Sequence, residues 1–218
     1  MNVTTAGGSR LTLPMMLDWG ERLAVAGLFL WIVHSKIGAH EINWFFWLYC
    51  LSEGLVVGFI LARRGTDKVT PRPLDWFLAI SATMLPMFAS ASPPWEPGRY
   101  QFMNPVMNVG TAIYIVGACW QIWAKLTLRR SFGIVAANRG VKISGPYRYM
   151  RHPMYFGYLL THIGMLLNGP NLWNVGLYTA AWIVQIWRLL AEERLLKEDA
   201  SYQEYTQRTR YRLIPGVF

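Results

Sequence analysis

Charge is what this sequence has least of. Only 15% of its 218 residues are Asp, Glu, Lys or Arg, against about 25% in ordinary soluble domains. With 53% hydrophobic and 15% aromatic residues, that scarcity excludes a disordered chain. It points to lipid rather than water as the solvent. Cysteine is nearly absent. Cys50 and Cys119 both lie in apolar runs, too few and too buried for a disulfide framework or a zinc ribbon. The four histidines, His34, His40, His152 and His162, are scattered, so no metal site is expected. No G-x-G-x-x-G and no Walker sequence offers a phosphate loop, and no Ser-His-Asp or Cys-His pair is placed for nucleophilic attack. The first eighteen residues hold no apolar core, and no small-residue cleavage site follows the first apolar run. A retained membrane helix is therefore expected there, not a signal peptide.

What is present is apolar sequence in blocks. Runs at 23–33, 44–62, 74–91, 106–126, 154–167 and 172–190 approach or reach the ~20 residues a helical span needs. Open sheet edges are not tolerated in hydrocarbon, which leaves helices. The expected fold class is all-α: a polytopic membrane bundle of about six helices, the last two a helical hairpin turning at Asn168-Gly169-Pro170-Asn171. Residues 1–17 read as a loose tail, and 92–98 as a turn-rich loop. Pro86 should kink the third run. Gly110 and Gly117, seven apart, share a face on which another helix can pack closely. Glu53, mid-way along the second run, is costly in lipid and should face protein, water or a partner. The chain divides into an N-terminal helical part, 1–124, serving as scaffold or substrate tunnel, and a C-terminal part, 125–218, whose charged last helix closes a site.

Six alternating spans put 19 of the 21 Lys and Arg residues on one side, leaving only Lys36 and Arg99 on the other. The positive-inside rule makes that side, with both termini, cytoplasmic. The net charge of +9 is then accounted for by topology and anionic lipid headgroups, not by nucleic acid.

Residues 144–157, Ser-Gly-Pro-Tyr-Arg-Tyr-Met-Arg-His-Pro-Met-Tyr-Phe-Gly, fall on that cytoplasmic face. Pro153 suits a helix start. Arg188 and Glu192, four apart near the end of the sixth run, share a helix face. A hairpin brings both sets together as a basic, aromatic cup with two carboxylates, Glu192 and Glu193. Such a cup suits a small charged cofactor with an aromatic base.

Residues 144–157, followed by Glu192-Glu193, Tyr202, Tyr205 and Arg212-Leu-Ile-Pro215, resemble the signature of the integral-membrane methyltransferases related to isoprenylcysteine carboxyl methyltransferase (ICMT) and the phospholipid N-methyltransferases. The resemblance covers roughly 125–218. It implies S-adenosyl-L-methionine as cofactor, held by Gly140, Val141, Lys142, Tyr147, His152, Pro153, Met154, Tyr155 and Glu193. Arg188, Glu192 and Arg151 are the implied catalytic residues, and Arg188, Tyr205 and Arg212 the acceptor contacts. The acceptor is a membrane lipid or lipophilic small molecule, and no metal is implied. Carboxylate O-methylation leads; amine N-methylation and thiol S-methylation stay open. Outside that class stand a membrane reductase using NADPH and a non-catalytic lipid-binding protein.

Overall fold

The computed structural model describes residues 13–38, 44–63, 65–66, 68–89 and 99–218. Among the described residues seven α-helices follow one another: α1 Leu13–Gly38, α2 Trp44–Ala62, α3 Pro73–Met84, α4 Arg99–Leu128, α5 Pro153–Asn168, α6 Leu172–Leu196 and α7 Ala200–Arg208. Among the described residues there is no β-strand, only an isolated bridge between Val69 and Ala137. The apolar runs thus become helices, with three adjustments. Helix α1 starts at Leu13, so part of the expected loose tail is helical. At Pro86 the helix type changes, Leu85–Phe88 being a 3-10 turn. The 124/125 division falls inside α4. The loop expected at 92–98 lies outside the described residues.

Helices α4 and α5 form the central pair, and glycine is the reason. A Cβ at Gly117 would stand 2.7 Å from the Leu160 Cβ and 2.8 Å from the Thr161 amide nitrogen, and one at Gly164 would stand 2.6 Å from the Gly110 carbonyl oxygen. Only hydrogen fits there, so the two backbones approach in the small-residue manner of membrane helices. The turn at 169–171 is where the sequence puts it, and the Asn171 side chain caps α6 by accepting from the Asn174 N–H at 2.7 Å. The expected tight hairpin is not formed, however. Helix α5 lies along α4, α6 packs on α3, and α5 and α6 have little direct backbone contact. They meet through side chains: the Trp182 indole N–H donates to His162 Nδ1 at 3.2 Å. The glycines face α4, so α4 takes the close position.

Charges expected to sit at a lipid edge are partly internal. Arg22, Arg63, Lys125, Arg139, Arg151 and Arg188, all among the nineteen, are buried. Arg194 reaches Asp75 of α3 at 2.8 Å. Large apolar side chains point the other way, Trp31, Trp47, Phe77, Val116, Trp123, Ile183 and Trp187 all being exposed. Among the described residues one helical stretch, Pro105–Ser131, is by itself long and apolar enough to cross a membrane; Cys50–Ala62 and Pro73–Phe88 are shorter apolar helices.

Candidate active site

Glu193 is the hub on which the carboxyl end of α6 is built. It is 2% exposed. Its Oε1 accepts from the His152 ring Nε2 at 3.0 Å and from the Tyr202 hydroxyl at 2.7 Å. Arg151 Nε lies 3.0 Å from the same oxygen, and Arg212 Nε lies 3.4 Å from Oε2. Burial alone would raise this carboxyl group. The hydrogen bond and charge of His152, the Tyr202 hydroxyl and the Arg151 guanidinium more than offset it and hold the group at about 2. Glu193 is therefore an anion that fixes the His152 ring, with Nε2–H as donor. The backbone repeats the clamp: Arg151 and His152 N–H donate to the carbonyls of Tyr211 and Arg212 at 3.0 and 2.8 Å. Those two amides are thereby occupied by protein. Tyr205 ties α7 down by donating to the Tyr147 carbonyl at 2.6 Å.

Residues 132–142 form the wall facing this hub. Gly140 turns the chain at φ +97°, a region where side chains are strained, and its N–H donates to Asn138 Oδ1 at 3.0 Å. Asn138 in turn donates to Asp199, the cap of α7, at 2.6 Å. The wall is also held from the far end of the chain. Glu21 of α1 is buried. Its Oε1 accepts from the Ile134 and Val135 N–H groups at 2.9 and 3.2 Å, and its Oε2 takes Arg63 at 2.8 Å. The Ile134 carbonyl then accepts from Arg188 Nη2 at 2.7 Å. One peptide unit is thus gripped on both sides, by an anion at its N–H and a cation at its C=O. Glu21→Ala is expected to speed amide exchange at Ile134 and Val135 and to lower turnover about ten-fold, since a small misplacement of a positioned group costs rate. Glu21→Gln keeps the acceptor oxygen and should keep the protection, which hydrogen exchange checks residue by residue.

Two cavities share this wall. Gly133 and Val135 line a cleft with Arg139, Lys142, Arg151 and His152. Phe132 and Ile134, the alternate residues, line an inner cavity of about 250 Å³ between α2, α3, α4, α5 and α6. The linings alternate from 132 to 135, so one short segment divides the two spaces. Arg188 lines the inner cavity, and its guanidinium carbon sits 5.5 Å from the ring centroid of Tyr155, which lines the cleft. Arg188 is buried. Among the described residues no carboxylate oxygen lies within ion-pair distance of it.

Sequence comparison adds the class. The family model described as phospholipid methyltransferase matches residues 100–203. A probable protein-S-isoprenylcysteine O-methyltransferase of Oryza sativa subsp. indica is 29% identical over 184 residues, covering 74% of this chain and 92% of the relative. Protein-S-isoprenylcysteine O-methyltransferase B of Arabidopsis thaliana is 30% identical over 166 residues, covering 68% of this chain and 80% of the relative. The chain belongs to the ICMT and phospholipid methyltransferase family. It is a methyltransferase.

In this methyltransferase the residues singled out by sequence separate into three places. Gly140, Val141, Lys142, Tyr147, Arg151, His152, Met154, Tyr155, Glu192 and Tyr205 line the cleft. Arg188 stands in the inner cavity. Glu193 and Arg212 lie behind His152 and are absent from both linings, and Pro153 is buried at the first position of α5. Glu193, expected to touch the cofactor, has its oxygens occupied by protein. Glu192, its neighbour, faces the cleft and accepts from the Tyr155 hydroxyl at 2.8 Å. Among the described residues no group of three or more His, Cys, Asp or Glu gathers as a metal would require. Sequence reasoning missed Glu21 and Ile134. The only signal was an acidic residue just before an apolar run, which resembles any helix start.

Proposed function

We propose that the chain is an integral-membrane, S-adenosylmethionine-dependent methyltransferase that esterifies a carboxylate on a lipophilic acceptor. The observation that carries this reading is Arg188: a buried guanidinium without a counter-anion, on the wall between two cavities. An unpaired buried cation is costly, and an anionic acceptor removes the cost by pairing with it. A carboxylate is already a nucleophile and needs only to be held. An amine would need a base, for which Glu192 is the one carboxylate among the described residues lining the cleft. The unpaired charge of Arg188 favours the anion.

The cleft suits the cofactor by its donor set. Arg151 and Lys142 offer donors to a carboxylate, beside the His152 ring on the same lining. Glu192 offers an acceptor to ammonium or ribose hydroxyls, and the faces of Tyr155, Tyr147 and Tyr202 suit a sulfonium or an aromatic base. Arg139 Nε, also on the cleft wall, is buried and lacks a protein partner. The enclosed interior is about 80 Å³, below the ~300 Å³ or more of typical small-molecule sites. Loading therefore requires outward movement of the segment tied to α7 by Asn138 and Asp199. When bound there, S-adenosylmethionine would supply an electrophilic methyl group to the acceptor oxygen, with the C–S electron pair left on sulfur and no proton transfer needed from the protein. Arg188 orients the carboxylate, Tyr155 packs beneath the guanidinium, and the wall with the two helix ends excludes water.

The exposed apolar surface on every long helix supports a bundle of about six membrane helices. The bias of 19 of 21 cations to one side supports a cytoplasmic cleft and cytoplasmic termini, with anionic headgroups around Arg129 and Arg130. Calorimetry on detergent-purified protein tests the reading. Micromolar binding of S-adenosylhomocysteine is expected, with no binding of NADPH. Absence of cofactor binding in a folded sample would sink it. Methyl-labelled lipid extracts from cells with and without the protein identify the acceptor, and a base-labile label marks an ester.

A further inference from the structure

The inner cavity is more polar than a hydrocarbon chain requires. Glu53 lines it from α2, Gln121 and Thr161 from α4 and α5, and Gln185 and Arg188 from α6. Part of this set is already satisfied. Lys125, fully buried behind the wall, donates to Ser52 Oγ at 2.7 Å, to the Ser52 carbonyl at 3.3 Å and to Glu53 Oε1 at 3.0 Å, which uses its three protons. Gln121 donates to Thr161 Oγ1 at 3.1 Å.

Three groups are left over, and they differ in sign. Arg188 holds one carbonyl and no anion. Gln185 is 6% exposed, and among the described residues no hydrogen bond reaches its amide. Glu53 uses Oε1 for Lys125 and Ser52, whereas no described donor reaches Oε2, and its side chain is 27% exposed. Buried polar groups of native proteins are nearly always paired, and a carboxylate in a membrane helix marks a partner. Lys125 explains why an anion is tolerated at this position. It does not explain why that anion presents its second oxygen to an internal space of about 250 Å³.

We infer that Glu53 and Gln185 form a subsite for a hydrogen-bond donor carried by the acceptor itself, an ammonium group above all. The inference rests on the proposed carboxylate methylation and narrows it. The acceptor is dipolar, an amphiphile with an amino-acid head. Its carboxylate lies at Arg188 and its ammonium group at Glu53. The cavity is too small for a long isoprenoid or acyl chain as well, so the chain extends between helices into lipid. A protein C-terminus, whose residue nitrogen is an amide, lacks the cation this subsite selects.

The test uses two probes with the same thioether chain and carboxylate: S-geranyl-L-cysteine, with a free ammonium group, and N-acetyl-S-geranyl-L-cysteine. Full-length wild type and Glu53→Gln are reconstituted in nanodiscs. Binding of each probe is measured by calorimetry with and without S-adenosylhomocysteine, and products are identified by mass spectrometry. Wild type is expected to bind the ammonium probe at least about ten-fold more tightly, the discrimination one charged hydrogen bond supplies. Glu53→Gln should remove that preference by weakening the ammonium probe alone, leaving S-adenosylhomocysteine affinity unchanged. Equal binding of the two probes by wild type overturns the inference whether or not the variant folds. So does a preference that survives in Glu53→Gln, binding of neither probe, or methylation at nitrogen. Discrimination in binding without any cofactor binding or methyl transfer would instead overturn the methyltransfer reading and leave the subsite standing.

Discussion

Arg188→Met is expected to make the protein more stable and nearly inactive. The side chain is buried and meets one carbonyl, at 2.7 Å, and one aromatic face. Replacing a buried charge that lacks its counter-ion by an apolar side chain of similar volume removes a desolvation cost. The lost carbonyl bond returns only about 1 kcal/mol of that gain. A net gain of roughly 1–2 kcal/mol would raise Tm by about 2–8 °C in a chain of this size. Methyl transfer should fall by at least about 100-fold, the order seen when one pre-positioned donor is removed from a reacting anion. Affinity for S-adenosylhomocysteine should stay within about two-fold, because Arg188 lines the inner cavity and not the cleft. Arg188→Lys should recover little, since an ammonium group cannot hold the Ile134 carbonyl, stack on Tyr155 and fork onto a carboxylate together. Thermal unfolding, calorimetry and single-turnover transfer on one preparation separate the three effects. If cofactor affinity falls in step with turnover, Arg188 belongs to the cofactor site.

Glu193→Gln should act in the opposite sense, on the fold first. The substitution removes the negative charge that Arg151, His152, Tyr202 and Arg212 converge upon. Breaking a buried ion pair from one side costs about 3–5 kcal/mol, so a fall of roughly 10 °C in Tm is expected. The His152 ring loses its anchor, and S-adenosylhomocysteine affinity should fall with it. His152→Ala should weaken cofactor binding without the same loss of stability, and unchanged affinity in both variants would remove the cofactor from this cleft. The pH dependence has a definite sign. Glu193 titrates at about 2 when folded, against an ordinary value of 4.5. A lowered carboxyl group contributes stability that is complete above pH ~4.5 and is lost as pH falls toward ~2. Wild type should therefore lose stability through that window, and Glu193→Gln should show a flatter acid limb.

Much of this was legible in the sequence because it depends on local chemistry. The turn at Asn168-Gly169-Pro170-Asn171 ends one helix and caps the next wherever it occurs. Pro153 starts α5 because its ring suits the first helical position and its missing N–H costs nothing there. Gly110 and Gly117 declare a close-packed face by their spacing alone. What their spacing does not give is the partner. The sixth run, joined to α5 by a short turn, looked the nearer mate of α5. Gly157 and Gly164 on the facing helix settle that α4 and α5 pair, because their hydrogens alone fit between the two backbones.

The residues 144–157 and the pair Glu192-Glu193 announced a site by composition and by family resemblance. The roles within it were not readable. Adjacent residues on a helix point about 100° apart, so one glutamate must face the cleft and the other the interior, and sequence cannot say which. Tertiary structure turns Glu192 outward to Tyr155 and Glu193 inward to His152. Long-range pairs were equally silent: Glu21 meets Ile134 across 113 positions, and Lys125 meets Glu53 across 72. The sequence by itself determined that this chain is helical and rich in apolar blocks, and that it is a methyltransferase. Helicity follows from composition and the apolar blocks, and the methyltransferase reading from the resemblance of residues 144–157 and 192–215 to the family signature. Only the tertiary structure decided that a buried arginine stands without an anion between two cavities. That is a property of what surrounds Arg188, and its neighbours come from α1, α5 and the 132–142 wall.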